Sequence, residues 1–362
     1  MADRVRVGVV GTGFGKQHIM AFSALPRSVV TSVCSTDAGR AAEVARQFGV
    51  PHSFGDYRAM LDEAPIDAVA VITQPAAHAS ICSAALNAGK HVLCQKPLAA
   101  TLAEARAVRD QGRTSGQVHA MDQNQRYLWH SLLLKKLIDG GAIGRPMSLT
   151  SAFGVNISAY YANPNASPNK NTWYSSRERG GGMLFANGGH VFDRLLWLFG
   201  PVRSVMGRVN TALTEINLPN GSTYTPDSDD SYNAVLEFES GLMASTQCTP
   251  VAFSTAMQAR LEIHGTDGSI LEEGLGVGAT VKRTTAVDRE YTVVSTLENV
   301  KMHEAPEGVP EGIYALGDRF VRAILDGEPM SPTFEDGFRA QEVIEAILQS
   351  DQTGQRRDLP LA

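Results

Sequence analysis

The stretch Val5–Leu25, VRVGVVGTGFGKQHIMAFSAL, decides the fold. Val5–Val10 is a short apolar run ending at a glycine, the pattern of a strand buried on both faces of a parallel sheet. GTGFGKQH then turns the chain, and Ile19, Phe22 and Leu25 recur at helical spacing. Strand, glycine turn and helix in this order predict the opening of a βαβ unit. Within it, Gly11, Thr12, Gly13, Phe14 and Gly15 form a turn whose backbone amides can approach a pyrophosphate at a helix N-terminus. The third glycine stands one residue early, because strict G-x-G-x-x-G spacing falls on Lys16.

The same alternation continues outward. Strands are expected at 29–34, 68–73, 91–94 and 117–121, separated by helices near 38–48, 56–62, 77–88 and 101–112, which implies a doubly wound parallel sheet. Beyond Asp122 the texture changes: an amphipathic helix at 132–138, a strand at 147–154, and a polar loop, NPNASPNKNTWYSSRERGGG. AVLEFESGLMASTQ and ARLEIHGTDGSILEE then carry period-2 alternation with hairpin turns at Ser240–Gly241 and Gly265–Gly268, so an antiparallel sheet is expected. Two helices, near 313–325 and 335–349, close the chain. The fold class is thus α/β followed by α+β, with residues 1–122 as the dinucleotide-binding domain and 123–362 as the second domain.

The composition sets the function classes. The 362 residues, 43% hydrophobic and 19% charged, suit a soluble two-domain protein. A net charge of -6 without a Lys/Arg run argues against nucleic acid as a partner. The 4 cysteines lack C-x-x-C spacing, so neither a disulfide framework nor a metal site is expected. No apolar run suits a membrane span, and a cytoplasmic location is expected.

Three places can carry chemistry. At the end of the second strand, Ser35, Thr36 and Arg40 can receive the 2′-phosphate of NADP, Asp37 can bind the free ribose diol of NAD, or Asp37 can simply cap the next helix. CQKPLA puts Lys96 at the carboxyl edge of the sheet, where such sheets bind ligands, with Pro97 fixing the backbone behind it. In GGGMLFANGGHVFDRLLWLFG, Leu184, Val191, Leu195 and Leu198 form an apolar helix face, while His190 and Asp193 share another.

Together these segments resemble the Gfo/Idh/MocA oxidoreductases, the relatives of glucose-fructose oxidoreductase and inositol dehydrogenase. AGKHVLCQKPLAATLAEA resembles the family's A-G-K-H-V-x-x-E-K-P segment, TQPAAH its T-x-P-x-x-H turn, and the glycine-rich helix its G-G-G-x-x-x-D-x-G-x-H-x-x-D pattern. IHGTDGSI and FEDGFRAQEVIEAILQS fit as well, so the likeness spans nearly the whole chain. It implies an N-terminal Rossmann domain, a C-terminal open-faced antiparallel sheet, and a sugar or cyclitol bound beside the nicotinamide of NAD or NADP. It adds Thr73, Gln74, Pro75, His78, Gln95, Lys96 and Pro97 to the cofactor side. Lys96 and His190 become the residues that act on the substrate proton, with Asn187, Trp173, Tyr174, Arg177 and Asp193 around the substrate; Lys170, Arg177 and Arg179 can meet an anionic substituent.

Two positions depart from the family pattern. Gln95 stands for the glutamate of E-K-P, and Ala186 for the aspartate one turn before the histidine. Sequence therefore predicts that both carboxylates are gone near Lys96, which favours a neutral His190. A dehydrogenase of sugars, cyclitols or glycosides is expected. The alternatives are an NAD-dependent glycoside hydrolase that oxidises its sugar transiently, and a dinucleotide-binding sensor. An open sheet face predicts a homodimer or homotetramer.

Overall fold

The computed structural model describes residues 4–157, 175–177, 181–218, 220–252, 257–288, 290–294 and 305–361. Two compact units emerge, Met1–Tyr127 with His303–Arg339, and Leu128–Met302 with Ala340–Ala362.

The first unit holds a six-stranded parallel sheet of β1 (Val5–Val10), β2 (Ser28–Cys34), β3 (His52–Phe54), β4 (Ala68–Val71), β5 (His91–Gln95) and β6 (His119–Asp122). Its order, β3-β2-β1-β4-β5-β6, reverses direction between β1 and β4, the switch point at which doubly wound sheets open a crevice. Helices α1 (Gly15–Ala24), α2 (Ala38–Phe48), α3 (Tyr57–Glu63), α4 (Pro75–Asn87) and α5 (Leu102–Ser115) link the strands. Five of the six residues of β1 are buried, as a central parallel strand requires. The edge strand β3 was not foreseen: it has 3 residues, two of them exposed, and so carries no apolar signal.

The linear boundary expected at 122/123 meets a return of the chain. The helix Glu311–Asp326 packs on α1, with Phe22 and Phe320 rings 6.4 Å apart and Gly317 leaving room for Leu25 and Phe22. An apolar helix face states that it must be covered but not by what. Burial of Leu316, Phe320 and Val321 in the core formed by β1, β2 and α1 gives the answer.

The second unit is built on a nine-stranded sheet among the described residues. From one edge its order is Thr292–Val293, Thr280–Thr285, Gly268–Glu273, Met257–Gly265, Pro146–Val155, Met243–Thr249, Ser231–Phe238, Val202–Asn210 and Arg357–Asp358. All neighbours are antiparallel except Pro146–Val155 with Met243–Thr249. The helix Trp129–Asp139, the helix Gly188–Phe199 and the second part of Phe334–Thr353 share a core with one face, through Leu133, Leu134, Phe192, Leu195, Ile344 and Ile347. On the other face, among the described residues, Met206, Val235 and Met243 are exposed. Among the described residues no helix is long and apolar enough to cross a membrane.

Candidate active site

In the first unit the glycine turn has a job for each glycine. Gly11 has φ +117°, and a Cβ there would lie 2.0 Å from the Ile72 carbonyl oxygen, so the turn closes onto the end of β4 only without a side chain. A Cβ on Gly13 would meet nothing within 4 Å, which leaves that backbone open to a ligand. Gly15 starts α1 tightly against β1, where a Cβ would stand 3.2 Å from Val9 Cγ1. The early third glycine thus does the helix-to-strand packing that the motif needs. No side chain caps the N-terminus of α1; the Lys16 and Gln17 amides turn back to the Gly13 and Phe14 carbonyls, which leaves the amides of the glycine turn before them to face a pyrophosphate. These features fit a dinucleotide.

At the tip of β2, Asp37 caps α2 by accepting from the Arg40 amide at 3.0 Å. The Arg40 side chain reaches back to the glycine turn, its Nε donating to Thr12 Oγ1 at 3.1 Å, and Thr12 Oγ1 in turn lies 3.5 Å from Ser35 Oγ. Thr36 is exposed. Arg40 has no carboxylate partner among the described residues, whereas Asp37 already holds a helix end.

Behind the next two turns sits His78, fully buried, with Nδ1 2.7 Å from the Pro97 carbonyl and Nε2 3.1 Å from that of Thr73. It braces both turns from inside the fold, and burial lowers its pKa. Thr73 Oγ1 donates to the Gln74 carbonyl, and Pro75 occupies the first turn of α4.

Lys96 follows β5, joined to Pro97 by a cis bond. Gln95 Oε1 accepts from the Lys96 amide at 2.8 Å, and Gln95 Nε2 donates to Asp122 Oδ2 at 2.7 Å. Asp122 is fully buried and also meets His18 Nε2 at 3.0 Å and Asn124 Nδ2 at 2.9 Å. Burial pulls the Lys96 ammonium down to about 8, against the opposing charge of Asp122. Both family carboxylates are absent, as the sequence reads, but what the sequence did not indicate is a further carboxylate, Asp122, on the neighbouring strand beside Gln95. Sequence reading treated Asp122 only as the end of the first domain and passed over His18. Only the strand register, which places Gln95 beside Asp122, reveals them.

In the second unit the glycine-rich segment forms two helices rather than one, Met183–Ala186 and Gly188–Phe199, broken at Asn187. Gly182 has φ +122°, and a Cβ on it would fall 2.4 Å from Asp229 Oδ1. Asp229 holds the first helix by accepting from Leu184 N at 2.7 Å and, through its carbonyl, from Met183 N at 2.9 Å. Burial, helped by Asp230, pushes this carboxyl up to about 6. Sequence reading missed it, since only the folded chain brings 229 to the glycine run. Tyr232 donates to Asn187 Oδ1 at 2.9 Å and fixes the break.

His190 lies in the first turn of the second helix and is partly exposed, whereas Asp193 is 2% exposed and belongs to the core side. One turn after His190, Arg194 meets both oxygens of Glu272 at 2.5 and 2.6 Å, and Glu272 Oε1 also meets His130 Nδ1 at 2.6 Å. Arg177 is exposed and its amide donates to Asp227. Trp173 and Tyr174, with Tyr160, Tyr161, Lys170 and Arg179, lie outside the described residues.

Comparison with known proteins agrees with this layout. Residues 5–122 match an oxidoreductase family's NAD-binding Rossmann fold, and residues 135–359 match the C-terminal alpha/beta domain of the same family. The chain is 29% identical to levoglucosan dehydrogenase of Pseudarthrobacter phenanthrenivorans, covering 96% of each chain. Identity is also 29% to inositol 2-dehydrogenase 2 of Saccharopolyspora erythraea, over 99% of this chain and 96% of that one. A solved levoglucosan dehydrogenase in complex with NADH and L-sorbose superposes with a TM-score of 0.87 at 28% identity, covering 99% of both chains.

Proposed function

The chain belongs to the Gfo/Idh/MocA oxidoreductase family, and from that premise we propose that it is a dehydrogenase moving a hydride between a secondary alcohol of a sugar or cyclitol and NAD or NADP. The observation that carries the reading is Lys96 at the carboxyl edge of the Rossmann sheet, desolvated to about 8 so that it exchanges a proton near neutral pH. When bound, the nicotinamide accepts the hydride. The chain's own part is to hold the cofactor and move the proton. Gly11, Gly13 and the backbone amides of the turn before α1 would hold its pyrophosphate. Lys96 hydrogen-bonds the substrate oxygen and shares its proton, and His190 is the second acid or base. As the alcohol C–H bond breaks with its electron pair, the O–H proton must leave as well, so the carbonyl forms without a stranded charge.

Polyhydroxylated rings are the substrate class because the relatives are named for levoglucosan and inositol. The test incubates the enzyme with a panel of anhydrosugars, cyclitols and glycosides, once with NAD and once with NADP. Stoichiometric growth of reduced-cofactor absorbance is expected. Aglycone release with catalytic cofactor and no net reduction overturns the dehydrogenase in favour of the redox-cycling hydrolase, which Ala186 keeps in view. The unpaired Arg40 beside Thr12 and Ser35 supports use of NADP alongside NAD.

We also propose that the open sheet face pairs with a second copy. Met206 and Val235 are register partners on adjacent inner strands and are 54% and 47% exposed, with Met243 also exposed. A cavity of about 350 Å³ lies over these strands, lined by Thr150, Met206, Val235 and Gln247 among others, with no residue from the His190 helix. Light scattering at micromolar concentration should give a dimer or larger, and a monomer alone overturns the pairing.

A further inference from the structure

We propose that Asp122 is the resident counter-charge of Lys96, and that Gln95 and Asp122 form an exchanged pair in which the carboxylate has moved from β5 to β6 while the hydrogen bond between the positions is kept. Position 95 is a glutamate in the family segment that the chain resembles, and here it is neutral. Its strand neighbour in register is Asp122, and their side chains meet at 2.7 Å. The same Gln95 side chain turns its other end to the Lys96 amide at 2.8 Å, so a single amide connects the carboxylate to the base of the lysine. Asp122 has no exposed surface, which leaves its field on Lys96 unscreened by salt.

Four described neighbours do not supply this charge. From α4, His78 has a lowered pKa and both its nitrogens face carbonyls. On β5, burial holds the Cys94 thiol well above its ordinary value and hence neutral. From α1, His18 faces Asp122 rather than Lys96, and its Nδ1 is buried without a hydrogen-bond partner among the described residues. Asn124 contributes an amide. Of the groups named, Asp122 alone opposes the desolvation of Lys96. Asp122 is a positioning residue in this reading: it touches neither substrate nor cofactor, and acts by stabilising the ammonium.

The test is a charge-swap cycle read in two ways. Asp122→Asn keeps size and hydrogen-bonding capacity while removing the charge. It should lower the Lys96 pKa by about one unit or more, measured by NMR of ¹³Cε-labelled lysine, and shift the matching limb of the kcat/KM pH profile toward acid. Gln95→Glu should shift both in the alkaline direction. The double variant, Gln95→Glu with Asp122→Asn, should return both to near the parent values. Should the single Asp122→Asn chain fold poorly, the restored double variant still decides the matter. An unmoved Lys96 resonance in Asp122→Asn, or a double variant that fails to restore it, overturns the proposal. The kinetic arm rests on the role assigned to Lys96 above, but the NMR arm does not: a moved resonance with an unmoved pH profile would refute that role and leave the counter-charge standing.

Discussion

Replacing Lys96 by alanine is expected to lower kcat by about a hundredfold or more while leaving the Kd for NAD or NADP within a few-fold of the parent. The separation follows from what Lys96 does. Its ammonium is desolvated to about 8, close enough to neutrality to share the proton of a substrate hydroxyl, whereas in the proposed arrangement the pyrophosphate would be held by Gly11, Gly13 and the turn before α1. His190→Ala should show the same loss of kcat with the same retained cofactor affinity, because it is proposed to act on the same proton inventory. Isothermal titration with cofactor and steady-state kinetics on one substrate separate the two quantities. Near-parent kcat in both variants removes these residues from the chemistry.

The second large effect is on stability. Glu272→Gln should destabilise the second unit by about 3–5 kcal/mol, because it leaves a buried guanidinium without its counter-ion. Glu272 is 2% exposed and takes Arg194 on both oxygens and His130 on one, tying the strand Gly268–Glu273 to the helix Trp129–Asp139 and to the helix that carries His190. The Gly276 amide lies 3.3 Å from His130 Nε2, which places the imidazole hydrogen on Nδ1, facing Glu272. Burial by itself pushes the Glu272 carboxyl up, but Arg194 and His130 outweigh it and the net pKa falls below its ordinary value. A depressed carboxylate stabilises the fold at pH above its ordinary value and loses that contribution as pH drops through the depressed one. The gap between parent and Glu272→Gln should therefore be full at neutral pH and narrow in acid. Glu273→Gln, at the more exposed neighbouring position, should change stability by less than about 1 kcal/mol. Thermal unfolding of both variants at several pH values checks the pair. A shift in Glu272→Gln no larger than that in Glu273→Gln would show that the buried network is not an anchor.

Much of this was legible before the fold was known. β1 and α2 fall within a residue of expectation, since their apolar periodicities are local and their ends carry glycine or a capping aspartate. Lys96 and His190 could be proposed from the sequence because each sits in a segment whose spacing is itself distinctive. Asp122 was not: a carboxylate at a strand end says nothing until the parallel register sets it beside Gln95. Asp229 was hidden for the same reason, as its meaning depends on the space left by Gly182. The break at Asn187 depends on a hydroxyl from Tyr232, again distant in sequence. What escaped sequence reading is what depends on contact between remote segments.

The helix Glu311–Asp326 also imposes an order in time. A chain growing from the ribosome completes β1 to β6 long before Leu316 and Phe320 are made, yet Phe22 and Leu25 need those side chains as cover. The nucleotide-binding unit therefore waits, with part of its core bare, until the helix Glu311–Asp326 has been made, and a nascent chain stalled before that helix would hold six strands and no lid over α1.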